Sequence, residues 1–550
     1  MTDCLIIGHN DGDFEEYVGM VRAMGEDSGA YRDLRLAFTE IDGRPMHALK
    51  ALTHFAGRTP WGTEYHNTDF LWPTITYLGT YLHRLGYSFD YINRFQLEKD
   101  ALQRKLRSNR ILTVAITTTL HVSVQPITEI IGFIRKHNRA AQIIVGGPFV
   151  SNLPASTDEC GMRQLFEYMD ADVYVIQSEG EQALGQIIGA LKQGGDLSGI
   201  ANIAFKRDGE YRLTATAPES NTLADNMVDY GLFPREAHGQ FVTLRTAKSC
   251  PFSCSFCGFP QRAGQYTYLP VDLIERELDA IRDLGGVTTL TFIDDTFNVP
   301  KQRFREIMRM MIRKQYGFRW NIFYRSDHGD EETIALMGEA GCEGVFLGVE
   351  SGSDQMLKIM NKTARRHNYM KAIPLLRKAG VATYASLIVG FPTETAATVA
   401  ESVSLLEEAQ PDFFRVQLWY CDPVTPIWER RHEFGVKGSA FNWTHDTMTS
   451  AEACDIADDM FRNIKGSVWL PQNGFEMWSL FYLQRIGMTL DQIKDYLRTF
   501  NAGVVESMAG RRPGADWLSA MRTRARAHLG ETSGRDVIAP ATAAEWELLQ

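Results

Sequence analysis

Three cysteines fall within eight residues, Cys250-Pro251-Phe252-Ser253-Cys254-Ser255-Phe256-Cys257, a C-x3-C-x2-C spacing. The other five, Cys4, Cys160, Cys342, Cys421 and Cys454, are scattered in apolar surroundings, as buried free thiols are. In a reducing compartment a tight cluster means metal before disulfide. Three thiolates on one loop can ligate three irons of a [4Fe–4S] cube, whereas electron-transfer cubes take four. The fourth iron is then open, and an open coordination position means chemistry, as it does at catalytic zinc. A zinc site completed by His238 or a distant Cys is one alternative, and a chance gathering of buried thiols is another. Zinc motifs usually bring two separated pairs, and the sequence has no second pair. The open cluster is the stronger reading.

The loop follows a strand pattern, Phe241–Leu244, that opens a region of alternating strands and helices over residues 240–430. Its further strand candidates are Thr289–Ile293, Asn321–Tyr324, Val345–Val349, Tyr384–Val389 and Phe413–Trp419. Between them Leu273, Ile274, Leu278 and Ile281 repeat at helical spacing over Val271–Leu284. Six βα units predict a partial (β/α)6 TIM barrel, with the residues after each strand facing one mouth.

Residues 1–215 also alternate. Strand patterns at Leu5–Gly8, Tyr87–Ile92, Leu112–Thr119, Gln142–Val145 and Val173–Ile176 are separated by helix patterns at Pro73–Leu85, Ile127–Lys136 and up to Leu191. This predicts a parallel, doubly wound Rossmann-like sheet, whose ligands sit at the carboxyl ends of the strands. Residues 11–72 are too long for a bare loop and must carry structure or function of their own. Residues 431–550 show no clear strands and read as a helical region. There Thr449 and Glu452 form a capping box before Ile456, Met460 and Ile464, and the last twenty residues read as a mobile tail.

Net charge −11 argues against general nucleic-acid binding. No stretch approaches the roughly 18 apolar residues of a membrane span, and the N-terminus lacks signal-peptide features. A cytoplasmic protein is expected, with neither nucleic acid nor membrane as partner.

The cysteine motif resembles that of the radical S-adenosylmethionine (SAM) enzymes. Phe292-Ile-Asp-Asp-Thr-Phe-Asn298, Gly348-Val-Glu-Ser-Gly-Ser353 and Gly390-Phe-Pro-Thr-Glu-Thr395 extend the likeness. With the N-terminal sheet, they look like the cobalamin-dependent branch. Leu71-Trp-Pro-Thr-Ile75, Ala115-Ile-Thr-Thr-Thr119, Trp419-Tyr-Cys-Asp-Pro423 and Trp443-Thr-His-Asp-Thr-Met448 resemble the P-methylase family of phosphinothricin (bialaphos-type) biosynthesis.

The resemblance implies an α/β chain of three parts: a cobalamin-binding Rossmann-like domain (1–215), a radical SAM partial TIM barrel (240–430) and a helical C-terminal region (431–550). It implies a [4Fe–4S] cluster on Cys250, Cys254 and Cys257, with SAM on the open iron. Asp294 or Asp295 would meet the SAM amino group and Arg325 its carboxylate. Glu350 and Ser351 would hold ribose hydroxyls, and Gly390 and Pro392 the adenine. Thr117, Thr118, Gly146, Gly147, Ser178 and Gly180 would contact the corrin tail. The D-x-H-x-x-G pattern that supplies a lower cobalt ligand is absent, and His9, His66 and His121 lack its spacing. Base-off cobalamin without His ligation is therefore expected.

The implied reaction uses two SAM molecules. One methylates cob(I)alamin, and the other yields a 5′-deoxyadenosyl radical that takes a hydrogen atom from the substrate. Methylcobalamin then supplies the methyl. The acceptor would be the phosphinate phosphorus of a demethylphosphinothricin-type intermediate in natural-product (antibiotic) biosynthesis, with an electron donor such as flavodoxin or ferredoxin. An anionic phosphinate needs a cationic pocket. Arg415 shares a strand face with Gln417 and Trp419 and is the first choice, against a structural ion pair at the barrel rim. Arg245 and Lys248 flank the cysteine loop, and Tyr420 and Trp443 are candidates to seal the pocket. The alternatives are radical methylation of an unactivated carbon, and a non-catalytic cobalamin or iron–sulfur sensor.

Overall fold

The computed structural model describes residues 2–58, 64–66, 70–108, 110–121, 123–177 and 179–527. Ser178 and the expected mobile tail lie outside the described residues.

Seven strands form the first sheet: β1 (Thr2–His9), β2 (Phe89–Arg94), β3 (Ile111–Thr117), β4 (Gln142–Gly146), β5 (Val173–Val175), β6 (Ile203–Arg207) and β7 (Glu210–Leu213). Their spatial order is β2-β1-β3-β4-β5-β6-β7. Strands β1 to β5 pair in parallel, as the alternating pattern predicts. The last two do not: β6 pairs antiparallel to β5, and β7 antiparallel to β6. For the β6–β7 pair the reason is local. Asp208 and Gly209 both take positive φ, 55° and 87°, which suits a two-residue hairpin turn.

The second sheet is wholly parallel and sequential: β8 (Phe241–Leu244), β9 (Thr289–Phe292), β10 (Arg319–Tyr324), β11 (Cys342–Glu350), β12 (Ala382–Val389), β13 (Phe413–Leu418) and β14 (Val468–Trp469). Six strands match the expectation. The seventh, β14, comes from the region expected to hold no strands and pairs beside Phe413 and Phe414. Three more short strands, Lys437–Ser439, Asn442–His445 and Met448–Thr449, correct that expectation further. They are two to four residues long, too short to show a period.

Alternation sorts the barrel's faces. Val242, Leu244, Leu290, Ile322, Val345, Leu387 and Val416 are buried on one face. Thr243, Thr291, Phe323, Phe346, Ile388 and Gln417 on the other are only half-buried. On that second face Phe346 meets the rings of Phe323 and Tyr384, with centroids 5.0 and 4.9 Å apart. Arg415, two residues before Gln417, lies beside Ser386 on the same face.

The described residues of 11–72 include helices Phe14–Ala23, Gly29–Leu34 and Ala48–Ala56 and a hairpin, Phe38–Ile41 with Arg44–His47. This segment packs on the C-terminal region. Tyr496 Oη donates to the Ala48 carbonyl at 2.7 Å, and Thr39 Oγ1 to the Gly503 carbonyl at 3.1 Å. Arg32 pairs with Asp455 and Asp458 at 2.7 and 2.6 Å. The three-part division of the sequence is therefore crossed twice, by this segment and by β14. No described helix is long and apolar enough to cross a membrane.

Candidate active site

The cysteine loop leaves β8 and is closed as a hairpin, because Ala247 and Lys248 pair antiparallel with Tyr268 and Thr267. Ser249 enters it at φ 67°, and its hydroxyl donates to the Gly264 carbonyl at 2.7 Å. All three cysteines are free thiols; Cys254 is buried, and Cys250 and Cys257 are half-buried. Burial raises the Cys250 thiol and pushes Cys257 up to about 11, and the neighbouring thiols oppose ionisation further. Such thiols ionise when a cationic centre binds among them. His238 does not complete a zinc set, since its Nε2 is 3.1 Å from the Tyr230 carbonyl inside the core. Among the described residues, no three His, Cys, Asp or Glu side chains are set to hold a single ion. Three thiols on one loop suit a cube that gives each thiolate its own iron.

The two aspartates after β9 divide their labour. Asp294 is fully buried and accepts from the amides of Thr246 and Ala247 at 2.6 and 3.0 Å and from the Thr246 hydroxyl. Arg303 braces the same turn through the Thr246 carbonyl at 3.0 Å. Asp294 thus fastens the base of the cysteine loop and is not open to a SAM amino group, which corrects that expectation. Asp295 is exposed to solvent. Desolvation and then the Asp294 charge push its carboxyl up to about 7. An ammonium placed there would restore its ionised form.

The other predicted SAM contacts are mostly engaged elsewhere. Arg325 lies 3.5 Å over the Phe252 ring and grips Asp327 through Nε and Nη2 at 3.1 and 2.8 Å. Nε and Nη2 are thus engaged within the protein, Nη2 also donating to Thr363 Oγ1 at 2.5 Å. Glu350, at φ 63°, pairs with buried Lys362 at 2.9 Å. The Ser351 hydroxyl is fully buried, accepting from the Ser353 amide at 3.1 Å and lying 3.3 Å from Ser402 Oγ. It holds a turn, not a ribose. At Gly390 the amide donates to Glu394 and the carbonyl meets His445 Nε2 at 3.0 Å. A Cβ on Gly390 would lie 2.4 Å from Trp443. Gly390 therefore packs towards the C-terminal region, and Pro392 is buried. Trp443 is core, its Nε1 donating to the Trp419 carbonyl at 2.9 Å, while Tyr420 is half exposed.

Arg415 is 1% exposed. It donates to the Pro471 carbonyl and, at 3.2 Å, to Asp33, and lies 5.0 Å over the Trp469 ring. The structural ion pair is the reading the geometry favours over a catalytic role. Arg245 approaches Glu181 at 4.0 Å, and Lys248 pairs with Glu179. Both tie the barrel to the first sheet.

A cavity of about 300 Å³ lies where those two sheets meet. Thr117, Gly146, Gly147 and Gly180 line it, together with Trp72, Tyr77 and Arg245. Thr118 does not: its hydroxyl donates to the Gly146 carbonyl at 2.9 Å and accepts from the Phe149 amide at 3.2 Å. Gly147 sits at φ 105°, and a Cβ there would lie 2.9 Å from Thr118 Oγ1. Carboxyl ends of parallel strands and a glycine cradle suit a bulky ligand. The volume is at the small end for ligand pockets. Lys362 and Asn361, beside the cysteine loop, were invisible to sequence reasoning, because nothing in their spacing marks them.

Residues 244–406 match the radical SAM superfamily. An uncharacterised methyltransferase from Pyrococcus horikoshii is 26% identical over 298 residues, 53% of this chain and 63% of that protein. An anaerobic magnesium-protoporphyrin IX monomethyl ester cyclase from Rubrivivax gelatinosus is 25% identical over 391 residues, 68% of each. The chain thus spans just under two thirds of the first relative's length. The solved structure of TsrM, a radical SAM methyltransferase from Kitasatospora setae with tryptophan and a SAM analogue bound, superposes over 96% of this chain and 99% of that one. The TM-score is 0.58 at 15% identity, a likeness of fold. Residues 244–406 are therefore a radical SAM domain, set within a chain that folds as TsrM does.

Proposed function

We propose that the protein is a cobalamin-dependent radical SAM methyltransferase, moving a methyl group from SAM by way of cobalamin to the phosphinate phosphorus of a demethylphosphinothricin-type intermediate. The observation that carries the class is the three-thiol loop at the carboxyl end of β8, whose root residue Arg245 lines the cavity between the two sheets. The fold is shared with TsrM, whose structure has also been solved with cobalamin and a [4Fe–4S] cluster bound. When bound, the cluster supplies the electron that cleaves SAM and cobalamin carries the methyl group.

The chain's own residues supply position. Cys250, Cys254 and Cys257 hold the cluster, and Asp295 takes the SAM ammonium. Gly146, Gly147 and Gly180 admit the cobalamin tail. The paired rings of Phe323 and Phe346 give that barrel face an apolar wall, which disfavours water beside a radical. The phosphorus acceptor is supported by the sequence likeness at Leu71–Ile75, Trp419–Pro423 and Trp443–Met448. The electrons would come from a small donor protein of flavodoxin or ferredoxin type.

The test is an anaerobic reaction of cluster- and cobalamin-loaded protein with CD3-labelled SAM, a reductant and N-acetylated demethylphosphinothricin. A CD3 group on phosphorus by NMR and mass, with deoxyadenosine and S-adenosylhomocysteine formed together, is the expected result. Deoxyadenosine without transfer would retain the class and move the acceptor to carbon. No SAM cleavage by properly loaded protein would overturn the class.

A further inference from the structure

The residues between the cysteines are held from one side by five consecutive residues, Ile359 to Thr363. Ser255 donates its amide to the Met360 carbonyl and its hydroxyl to the Ile359 carbonyl, both at 2.9 Å. Asn361 Nδ2 donates to the Ser253 carbonyl at 2.7 Å and to its hydroxyl at 3.0 Å. Lys362 Nζ lies 5.7 Å from the Phe256 ring centre. Thr363 Oγ1 accepts from Arg325, whose guanidinium covers Phe252. Ser253, Ser255 and both phenylalanines of the loop are thus each engaged.

The holding segment is itself anchored. It ends the helix Asp354–Ile359, whose Met356 and Leu357, with Met360, are fully buried. The Lys362 amide donates to the Leu357 carbonyl at 2.9 Å. Asn361 takes φ 51°, a conformation Asn tolerates better than most residues. Each cation is tied to its own carboxylate, Lys362 to Glu350 and Arg325 to Asp327. From the far side, the Ile427 amide donates to the Ser255 carbonyl at 2.9 Å.

We infer that Ile359–Thr363 is a preformed cradle that holds the cysteine loop in its ligating shape before iron arrives, with Asn361 and Lys362 as positioning residues. A free loop would lose its conformational entropy at the moment of ligation; a cradled loop has lost it on folding, so the metal is bound more tightly and leaves more slowly. The role in cluster retention rests on the proposed function; the shape of the metal-free loop does not.

Two measurements separate them. In the metal-free full chain, alkylation of buried Cys254 by iodoacetamide is followed by peptide mass, with exposed Cys160 as the internal reference. Asn361→Gly keeps the positive φ and loses both hydrogen bonds; Asn361→Asp keeps the size and loses the donor. Both should speed Cys254 labelling about five- to tenfold, the cost of opening one or two hydrogen bonds, with Cys160 unchanged. Wild-type labelling rates in both variants would overturn the cradle. In reconstituted protein, iron release to a chelator should quicken in the same variants and in Lys362→Met, with Lys362→Arg restoring the slow rate. Unchanged release in all of them would also overturn it. If the wild-type chain took up no [4Fe–4S] cluster, the proposed function would fall while the labelling result still judged the cradle.

Discussion

Arg415, in the middle of the sixth barrel strand, donates at 3.2 Å to Asp33, 382 residues earlier in the chain. The guanidinium is almost wholly buried, and the carboxylate belongs to the segment between the first strand and its helix. Removing the carboxylate takes away its hydrogen-bonded counter-charge and leaves the buried cation to the Pro471 carbonyl, the Trp469 face and the more distant charge of buried Glu476. Arg415→Met and Asp33→Ala should each cost about 2–4 kcal/mol, read as a lower melting temperature of the metal-free chain. A raised substrate KM with unchanged melting in Arg415→Met would instead return this arginine to the substrate pocket.

Cys254 is the most buried of the three thiols, at 8% exposure, and sits at the centre of the loop. Cys254→Ala should abolish cluster assembly and deoxyadenosine formation, measured by bound iron and sulfide and by product analysis. Cobalamin uptake, read from its visible spectrum, should persist, because the cavity proposed for it is lined by other residues. SAM cleavage by this variant would end the cluster assignment.

Gly147 lines the cavity at a positive φ that only glycine adopts freely, with Thr118 in the way of any Cβ. Gly147→Val should lower cobalamin retention through gel filtration by at least about tenfold, equal to roughly 1.4 kcal/mol. Iron and sulfide content should match the wild type. Normal cobalamin retention would place the cofactor elsewhere.

Glu277 is buried beneath the junction of the two sheets, accepting from the Tyr230 hydroxyl at 3.0 Å. Burial, and then the charge of Asp294, push its carboxyl up from 4.5 to about 7. The folded chain thus keeps a proton that the unfolded chain releases between those values, so stability falls as pH rises from about 4.5 to 7 and then levels. The full loss is roughly 3 kcal/mol at pH 8. Glu277→Gln keeps the acceptor and carries no charge. Its melting temperature should exceed that of the wild type at pH 8 and converge with it near pH 5. A gap that does not vary with pH would refute the assignment.

Local rules made much of the architecture readable. Helix Val271–Leu284 has the bounds its spacing predicts, and the Thr449–Glu452 capping box is formed, the Thr449 amide donating to the Glu452 carboxylate at 2.8 Å. Strand β2 begins at Phe89 rather than Tyr87, because the turn at Gly86 carries two more residues. These features depend on neighbours a few residues apart, where backbone period, capping and turn preference dominate.

The amino-acid sequence by itself determined that three thiols share one loop after a parallel strand, that two alternating regions build two sheets, and that small residues end the strands of the first. Only the tertiary structure decided which of two adjacent aspartates stays open to solvent. Asp294 is consumed by Thr246 and Ala247, which close on it from 48 and 47 residues away. Tertiary structure likewise gave Arg415 its partner in Asp33 and set Ile359–Thr363 against the loop more than a hundred residues before it. Polar side chains carry no period that announces their partners. Burial obliges each to find one, and which one is in reach depends on how distant strands and helices close around it.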